Sequence, residues 1–140
     1  MAAANCTCFN MRKATRAVTQ LYDKALRPSG LRATQFSMLS VVQDRGPVGI
    51  TDLAKALATD RTTLSRNLKP LLERGLLEIA DGEDRRERLI AMTSNGGEAL
   101  SQAVPLWHEV QTRVIKNLGR DRWTSLLDDL NEASDRFQAT

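Results

Sequence analysis

Ile50-Thr51-Asp52-Leu53-Ala54-Lys55-Ala56-Leu57-Ala58-Thr59-Asp60-Arg61-Thr62-Thr63-Leu64-Ser65-Arg66-Asn67-Leu68-Lys69-Pro70-Leu71-Leu72-Glu73-Arg74-Gly75 holds two short helical patterns joined by a tight turn. In the first, Thr51 is a candidate N-cap, Asp52 suits the positive end of the helix dipole, and Leu53, Ala54 and Leu57 share a face. The second runs from about Arg61 to Arg74, with Leu64, Leu68, Leu71 and Leu72 at i, i+4, i+7 and i+8. Pro70 breaks a local rule, because proline costs about 3 kcal/mol in a helix interior. Either the last turn bends there or the helix is shorter. Gly75 ends the pattern, and the period changes from helix to strand. Leu77 and Ile79 alternate with Glu78, Asp81–Arg86 is a charged turn containing Gly82, and Glu87–Met92 reads as the returning strand.

Two helices joined by a short turn can set the second in a DNA major groove, its N-terminal residues toward the bases. The outward face here offers Arg61, Thr62, Thr63, Ser65, Arg66 and Lys69. Four basic residues (Arg61, Arg66, Lys69, Arg74) stand against one acid, Glu73, between positions 61 and 74. This local excess of +3 equals the formal net charge of the whole chain. Arginine bonds guanine O6 and N7 in a bidentate way, and threonine offers a hydroxyl and a methyl. Free N–H groups at a helix start favour phosphate. An ordinary solvated helix face is the competing reading. Against it stands the hairpin, with Asp84, Arg85, Arg86 and Arg88 at or near its tip. A hairpin placed after a helix-turn-helix is a wing, and a tip arginine can enter a narrow minor groove. Self-paired charge, with Asp84 and Glu87 on the arginines, is the alternative there.

The flanks are helical. From Cys8 to Leu26, Ala14, Val18, Leu21, Tyr22 and Ala25 recur at three and four, until Pro28-Ser29-Gly30 ends the pattern. A second helix with Phe36, Met38, Leu39, Val41 and Val42 starts at Thr34, a good N-cap, and stops near Gly46-Pro47. Thr93 caps a long helix from about Asn95, which Pro105 should kink and Gly119 ends. A last helix carries Trp123, Leu126, Leu127, Leu130, Ala133 and Phe137. The predicted fold is mainly α with a small β-hairpin wing: a winged helix-turn-helix domain plus N- and C-terminal dimerisation helices. Residues 1–140 form a single domain, with the winged segment at about 34–92 and the dimerisation helices at about 5–27 and 95–138. Trp123, Leu126, Leu127, Leu130 and Phe137 are more apolar surface than a small winged domain covers. They imply a homodimer, unless they fold back on their own chain.

Composition narrows the function. The chain has 140 residues, 41 % hydrophobic and 26 % charged, the balance of a soluble globular domain. No stretch reaches the ~20 apolar residues of a membrane span, and Met1–Asn5 has neither the basic nor the apolar region of a signal peptide. The expected location is the cytoplasm. His108 is the only histidine, and it reads as a helix surface residue. No metal site, cofactor or catalytic set is expected, and the chain is not read as an enzyme.

Three runs, Ile50-Thr51-Asp52-Leu53-Ala54, Asp60 through Leu68, and Leu72-Glu73-Arg74-Gly75-Leu76, resemble the core of the MarR (multiple antibiotic resistance regulator) family. So does Asp84-Arg85-Arg86 followed by Met92-Thr93 and Gly96. The resemblance spans about Asn5 to Phe137; Pro70 departs from it, at the end of the reading helix rather than on its reading face. It implies a dimeric winged-helix regulator of transcription, usually released from DNA by a ligand or by oxidation. It further implies that Asp84 orients the wing, that Arg86 enters the minor groove, and that Thr62, Thr63 and Arg66 face the major groove. The expected partners are double-stranded DNA with a pseudo-palindromic operator, a second copy of the chain and a small aromatic ligand. Met11, Arg16, Phe36 and Trp107 are candidates to line the ligand pocket. Some members of the family sense hydroperoxides with a first-helix cysteine just before a phenylalanine, and Cys8-Phe9 is similar. Cys8, with Cys6 two residues away and Arg12 and Lys13 near, is therefore a candidate redox site. Repression relieved by a ligand is the leading reading. The alternatives are thiol sensing on the same fold and a winged-helix protein-interaction module that binds no DNA.

Overall fold

The computed structural model describes residues 3–84 and 86–138. A short 3-10 turn precedes α1 (Thr7–Leu26), and another follows it at Arg27–Ser29. Then come α2 (Ala33–Arg45), β1 (Val48–Gly49), α3 (Ile50–Ala56), α4 (Arg61–Glu73), β2 (Leu77–Asp81), β3 (Arg88–Met92), α5 (Ser94–Leu118) and α6 (Arg120–Gln138). The chain is mostly helical with a small antiparallel sheet, the architecture expected from the sequence. By internal contact it falls into two compact units, one ending at Trp107 and the other starting at His108, so the division lies inside α5.

The first unit is built around the leucine stripes. Leu64, Leu68 and Leu71 of α4 are buried with Leu53 and Ala54 of α3 and with Met38, Leu39 and Val42 of α2. Leu26, Leu31, Val48, Leu76, Leu77, Ile90, Leu100 and Ala103 complete that core. Removing water from each such leucine stabilises the fold by roughly 1.5–3 kcal/mol before entropy is counted. The sheet order is β1-β3-β2, all antiparallel, with Leu77 opposite Met92, Ile79 opposite Ile90 and Asp81 opposite Arg88. β1, unanticipated from the sequence, adds Val48 opposite Ile90 and Gly49 opposite Leu89. Two residues are too few to show a period of two.

Two helix starts differ from expectation. Thr34 is not the cap of α2; the helix begins one residue earlier, at Ala33. The Ala33 N–H is satisfied by Asp23 Oδ1 at 2.7 Å, from ten residues upstream, and the Arg32 N–H by Gln35 Oε1 at 3.0 Å. Thr51 is likewise inside α3, whose N-cap is Gly49 at φ −69, ψ 158. The chain passes directly from β1 into the helix, leaving no loop for Thr51 to cap. Thr93 does cap α5: its Oγ1 accepts from the Gly96 N–H at 3.0 Å. α4 continues past Pro70 to Glu73, and α5 continues past Pro105 to Leu118. Gly119, at φ +86, separates α5 from α6, and its N–H closes on Ile115 O at 2.8 Å.

Within the second unit, α6 buries none of its side chains. Leu126, Leu127, Leu130 and Phe137 are exposed by 43, 38, 42 and 65 %, and Trp123 is half-buried. Among the described residues, no helix is long and apolar enough to cross a membrane.

Candidate nucleic-acid interface

The turn between α3 and α4 is four residues, Leu57–Asp60, with Ala58 at φ 52. Asp60 closes it. Its Oδ1 accepts from the Thr63 N–H at 2.7 Å and its Oδ2 from the Thr63 hydroxyl at 2.9 Å. Those two bonds, the backbone one foremost, favour the charged carboxylate and hold Asp60 below its ordinary 3.8. The cap fixes the first turn of α4, the helix that carries the candidate DNA-contacting residues.

A group whose folded pKa is depressed adds stability above its unfolded pKa, and loses it as pH falls through the folded value. Asp60→Ala is therefore expected to melt below wild type at neutral pH. The gap should narrow as the solution is acidified past 3.8 and through the lowered value. Equal melting temperatures at neutral pH, measured by circular dichroism, would contradict the capping role.

With Leu64, Leu68 and Leu71 turned inward, Arg61, Thr62, Ser65, Arg66 and Lys69 are all exposed on the other side of α4. Thr62, Ser65, Arg66 and Lys69 follow at i, i+3, i+4 and i+7, one stripe along the helix. Thr63 differs from them, since its hydroxyl is already engaged by Asp60 and its residue is only half-exposed. Lys69 lies 3.9 Å from Glu73, a solvent-exposed pair of little energetic weight. Arg74, counted from sequence in the basic excess, turns elsewhere: its Nη1 donates to Gly30 O at 3.1 Å.

At the wing tip, Asp84 Oδ1 accepts from the Arg86 N–H at 3.2 Å, and Asp84 O accepts from the Glu87 N–H at 2.8 Å. Glu87 O in turn receives the Gly82 N–H at 2.9 Å. A Cβ at Gly82 would come within 2.6 Å of Glu87 Cβ, so only glycine fits this close. Asp84 thus folds the tip under Arg86, which is exposed. Arg85 lies outside the described residues.

The candidate redox and ligand residues divide between two places. Cys6 is the N-cap residue of α1, half-exposed, and Cys8, exposed, stands in its first turn. Both line a recess of about 450 Å³ with Phe9, Arg12, Lys13 and Arg16. The Lys13 ammonium lies 5.7 Å from the centre of the Phe9 ring, a cation–π distance. Arg16 therefore belongs with the cysteines. Phe36 and Trp107 instead stack on each other, with centroids 5.8 Å apart and planes 14° apart, and pack against the core. Met11 is exposed on α1 and does not line the recess. No group of three or more metal-ligating side chains occurs among the described residues.

The chain is similar to known transcriptional regulators. The MarR family profile matches residues 29–87. The HTH-type transcriptional regulator MgrA of Staphylococcus aureus is 32 % identical over 125 residues, covering 81 % of this chain and 85 % of that protein. The HTH-type transcriptional repressor NicR of Pseudomonas putida is 25 % identical, over 84 % of this chain and 75 % of its own. Among solved structures, the M. tuberculosis transcriptional regulator MosR in complex with DNA superimposes with a TM-score of 0.88 at 38 % identity. The match covers 96 % of this chain and 98 % of that one.

Proposed function

This chain belongs to the MarR family, and on that premise we propose that it is a homodimeric regulator that binds double-stranded DNA in a sequence-specific way and represses transcription until a small molecule releases it. The observation that carries this reading is the α4 face: Arg61, Thr62, Ser65, Arg66 and Lys69 exposed along a helix whose first turn Asp60 pins. Arg66 and Thr62 suit base edges, while Arg61 and Lys69 suit phosphates. Arg86, held by Asp84 at the wing tip, suits the minor groove, with Arg85 beside it in sequence. A protein-interaction module would need neither set. A regulator of this kind works on the chromosome, which places it in the cytoplasm.

The dimer follows from α6. Its exposed leucines and Phe137, with Trp123, form an apolar stripe that a second copy would cover. Two-fold symmetry then presents two reading helices about 34 Å apart, one DNA turn, and calls for a pseudo-palindromic operator.

The α1 recess is the preferred ligand site. Three cations and the Phe9 ring suit a small aromatic molecule carrying negative charge. The same recess favours a second reading, because both thiols line it. Peroxide would oxidise the Cys8 thiolate to a sulfenic acid, its own O–O bond breaking with release of water or an alcohol. A thiol then displaces water from the sulfenic acid to give a disulfide. Bridging Cys6 to Cys8 strains the backbone, so the attacking thiol is expected to come from the partner subunit or from a small molecule.

The test of the DNA reading is a salt titration on a promoter duplex. Neutralising several phosphates makes log K fall steeply with log salt, about 0.9 per phosphate contact. Absence of duplex binding at low salt would favour the protein-interaction module. For the thiol reading, mild peroxide should abolish DNA binding, reductant should restore it, and Cys8→Ser should be immune. Equal behaviour of wild type and Cys8→Ser would leave the small-molecule ligand as the releasing signal.

A further inference from the structure

The C-terminal end of α4 is held from two sides by groups off the exposed Thr62–Lys69 stripe. Arg74 is its C-cap residue, Gly75 follows at φ +70, and the Leu76 N–H closes on Leu71 O at 2.9 Å. On one side, Arg74 Nη1 donates to Gly30 O in the turn between α1 and α2. Gly30, at φ +77, has no Cβ to approach the guanidinium, where one would stand 3.3 Å from Nη2. On the other side, the Thr93 hydroxyl donates to Gly75 O at 2.6 Å, shared with Leu76 O at 3.0 Å, and accepts from the Gly96 N–H at 3.0 Å. The Thr93 N–H adds a bond to Leu76 O at 3.3 Å. A Cβ on Gly96 would fall 2.0 Å from Leu76 O and 2.6 Å from Met92 Sδ. The first turn of α5 thus lies directly against the backbone that ends the reading helix.

We propose that Thr93 and Arg74 are positioning residues that fix the pose of the reading helix by tying its C-terminal end to the end of α1 and the start of α5. The inference rests on the DNA-binding reading and deepens it. A helix pinned at one end by Asp60 and at the other by these bonds offers its side chains in one register. Freed at its C-terminal end, it samples several. It then binds the best operator less well, because ordering it has an entropic cost, and it loses less on an operator with shifted half-sites. Thr93 matters more than Arg74, since its bonds are partly buried and hold two carbonyls, whereas the Arg74 bond is exposed.

The experiment measures affinity for a set of duplexes whose half-sites stand one base pair nearer, at the selected spacing, and one or two base pairs farther apart. Wild type is expected to prefer the selected spacing by about tenfold or more, the cost of roughly one mismatched base pair. Thr93→Val keeps the shape and removes the hydroxyl. It should weaken binding at the selected spacing by about tenfold while leaving the shifted duplexes nearly unchanged, so the preference flattens. Thr93→Ser should restore the profile, and Arg74→Met should flatten it partly. A residue that merely stabilised the fold would lower binding at every spacing alike, and that result overturns the proposal. If Thr93→Val does not melt cooperatively, Arg74→Met and Arg74→Lys decide: unchanged profiles in both overturn the proposal, a profile flattened in Met and closer to wild type in Lys supports it. A wild type that binds no duplex specifically overturns the DNA-binding reading itself, and this inference with it. A sharp wild-type profile kept by every variant overturns this inference alone.

Discussion

Leu126→Asp combined with Leu130→Asp is expected to turn the protein into monomers and to cost it at least about a hundredfold in affinity for a full operator. Both leucines lie on the exposed stripe of α6, 43 and 42 % accessible in the single chain. In a dimer they would be covered, and a carboxylate buried there without a partner is costly unless it protonates or the subunits part. Parting is the less costly outcome for a helix none of whose residues is fully buried in the single chain. The affinity falls because two linked reading heads bind with the benefit of high effective concentration, and one head does not. Ser125→Asp is the control, exposed on α6 and off the leucine stripe by helical spacing. Light scattering should give a monomer mass for the double variant and a dimer mass for Ser125→Asp. A double variant that stays dimeric would place the interface elsewhere.

Arg66→Ala and Arg86→Ala should each weaken operator binding, and by different routes. Arg66 stands one turn into α4 on the exposed stripe, where a bidentate contact to guanine is within its chemistry. Its loss should cost about 1–3 kcal/mol and relax the preference at one base position in each half-site. Arg86 is held at the wing tip by the Asp84 carboxylate. Its loss should be felt most where A·T-rich flanks narrow the minor groove, and should lower the salt slope by roughly one for each wing that loses a phosphate-region contact. Identical specificity profiles for wild type and both variants would remove these residues from the interface.

The parts of this molecule that could be read from the chain are those where one local interaction decides. Leu64, Leu68 and Leu71 repeat at helical spacing because they pack on one core, and that stripe determines which side chains of α4 face outward. Thr93 is legible as a cap because a hydroxyl three residues before Gly96 has an obvious donor. Tertiary partners hid the rest. Ala33 starts α2 because Asp23 supplies an acceptor from α1, which no local pattern around Thr34 discloses. Arg74 looks like one more cation on a basic helix, yet its bond goes to Gly30, forty-four residues away in the chain. Asp60 carries a local signal of its own: an acidic residue directly before the helix, with a threonine three positions on. On α1, helical spacing brings Arg12, Lys13 and Arg16 to the face of Cys8 and Phe9, so Arg16 groups with the thiols and leaves Phe36 and Trp107 to each other.

The measurement closest to the central claim is a selection of duplexes from a random DNA pool by the intact protein, followed by sequencing. Two copies of the α4 face related by two-fold symmetry predict one enriched pseudo-palindrome, with half-sites about one helical turn apart. The same selection with Arg66→Ala should return a motif weakened at one position per half-site. A pool that leaves the selection with no enriched sequence, at low salt and with the protein folded, would contradict the account.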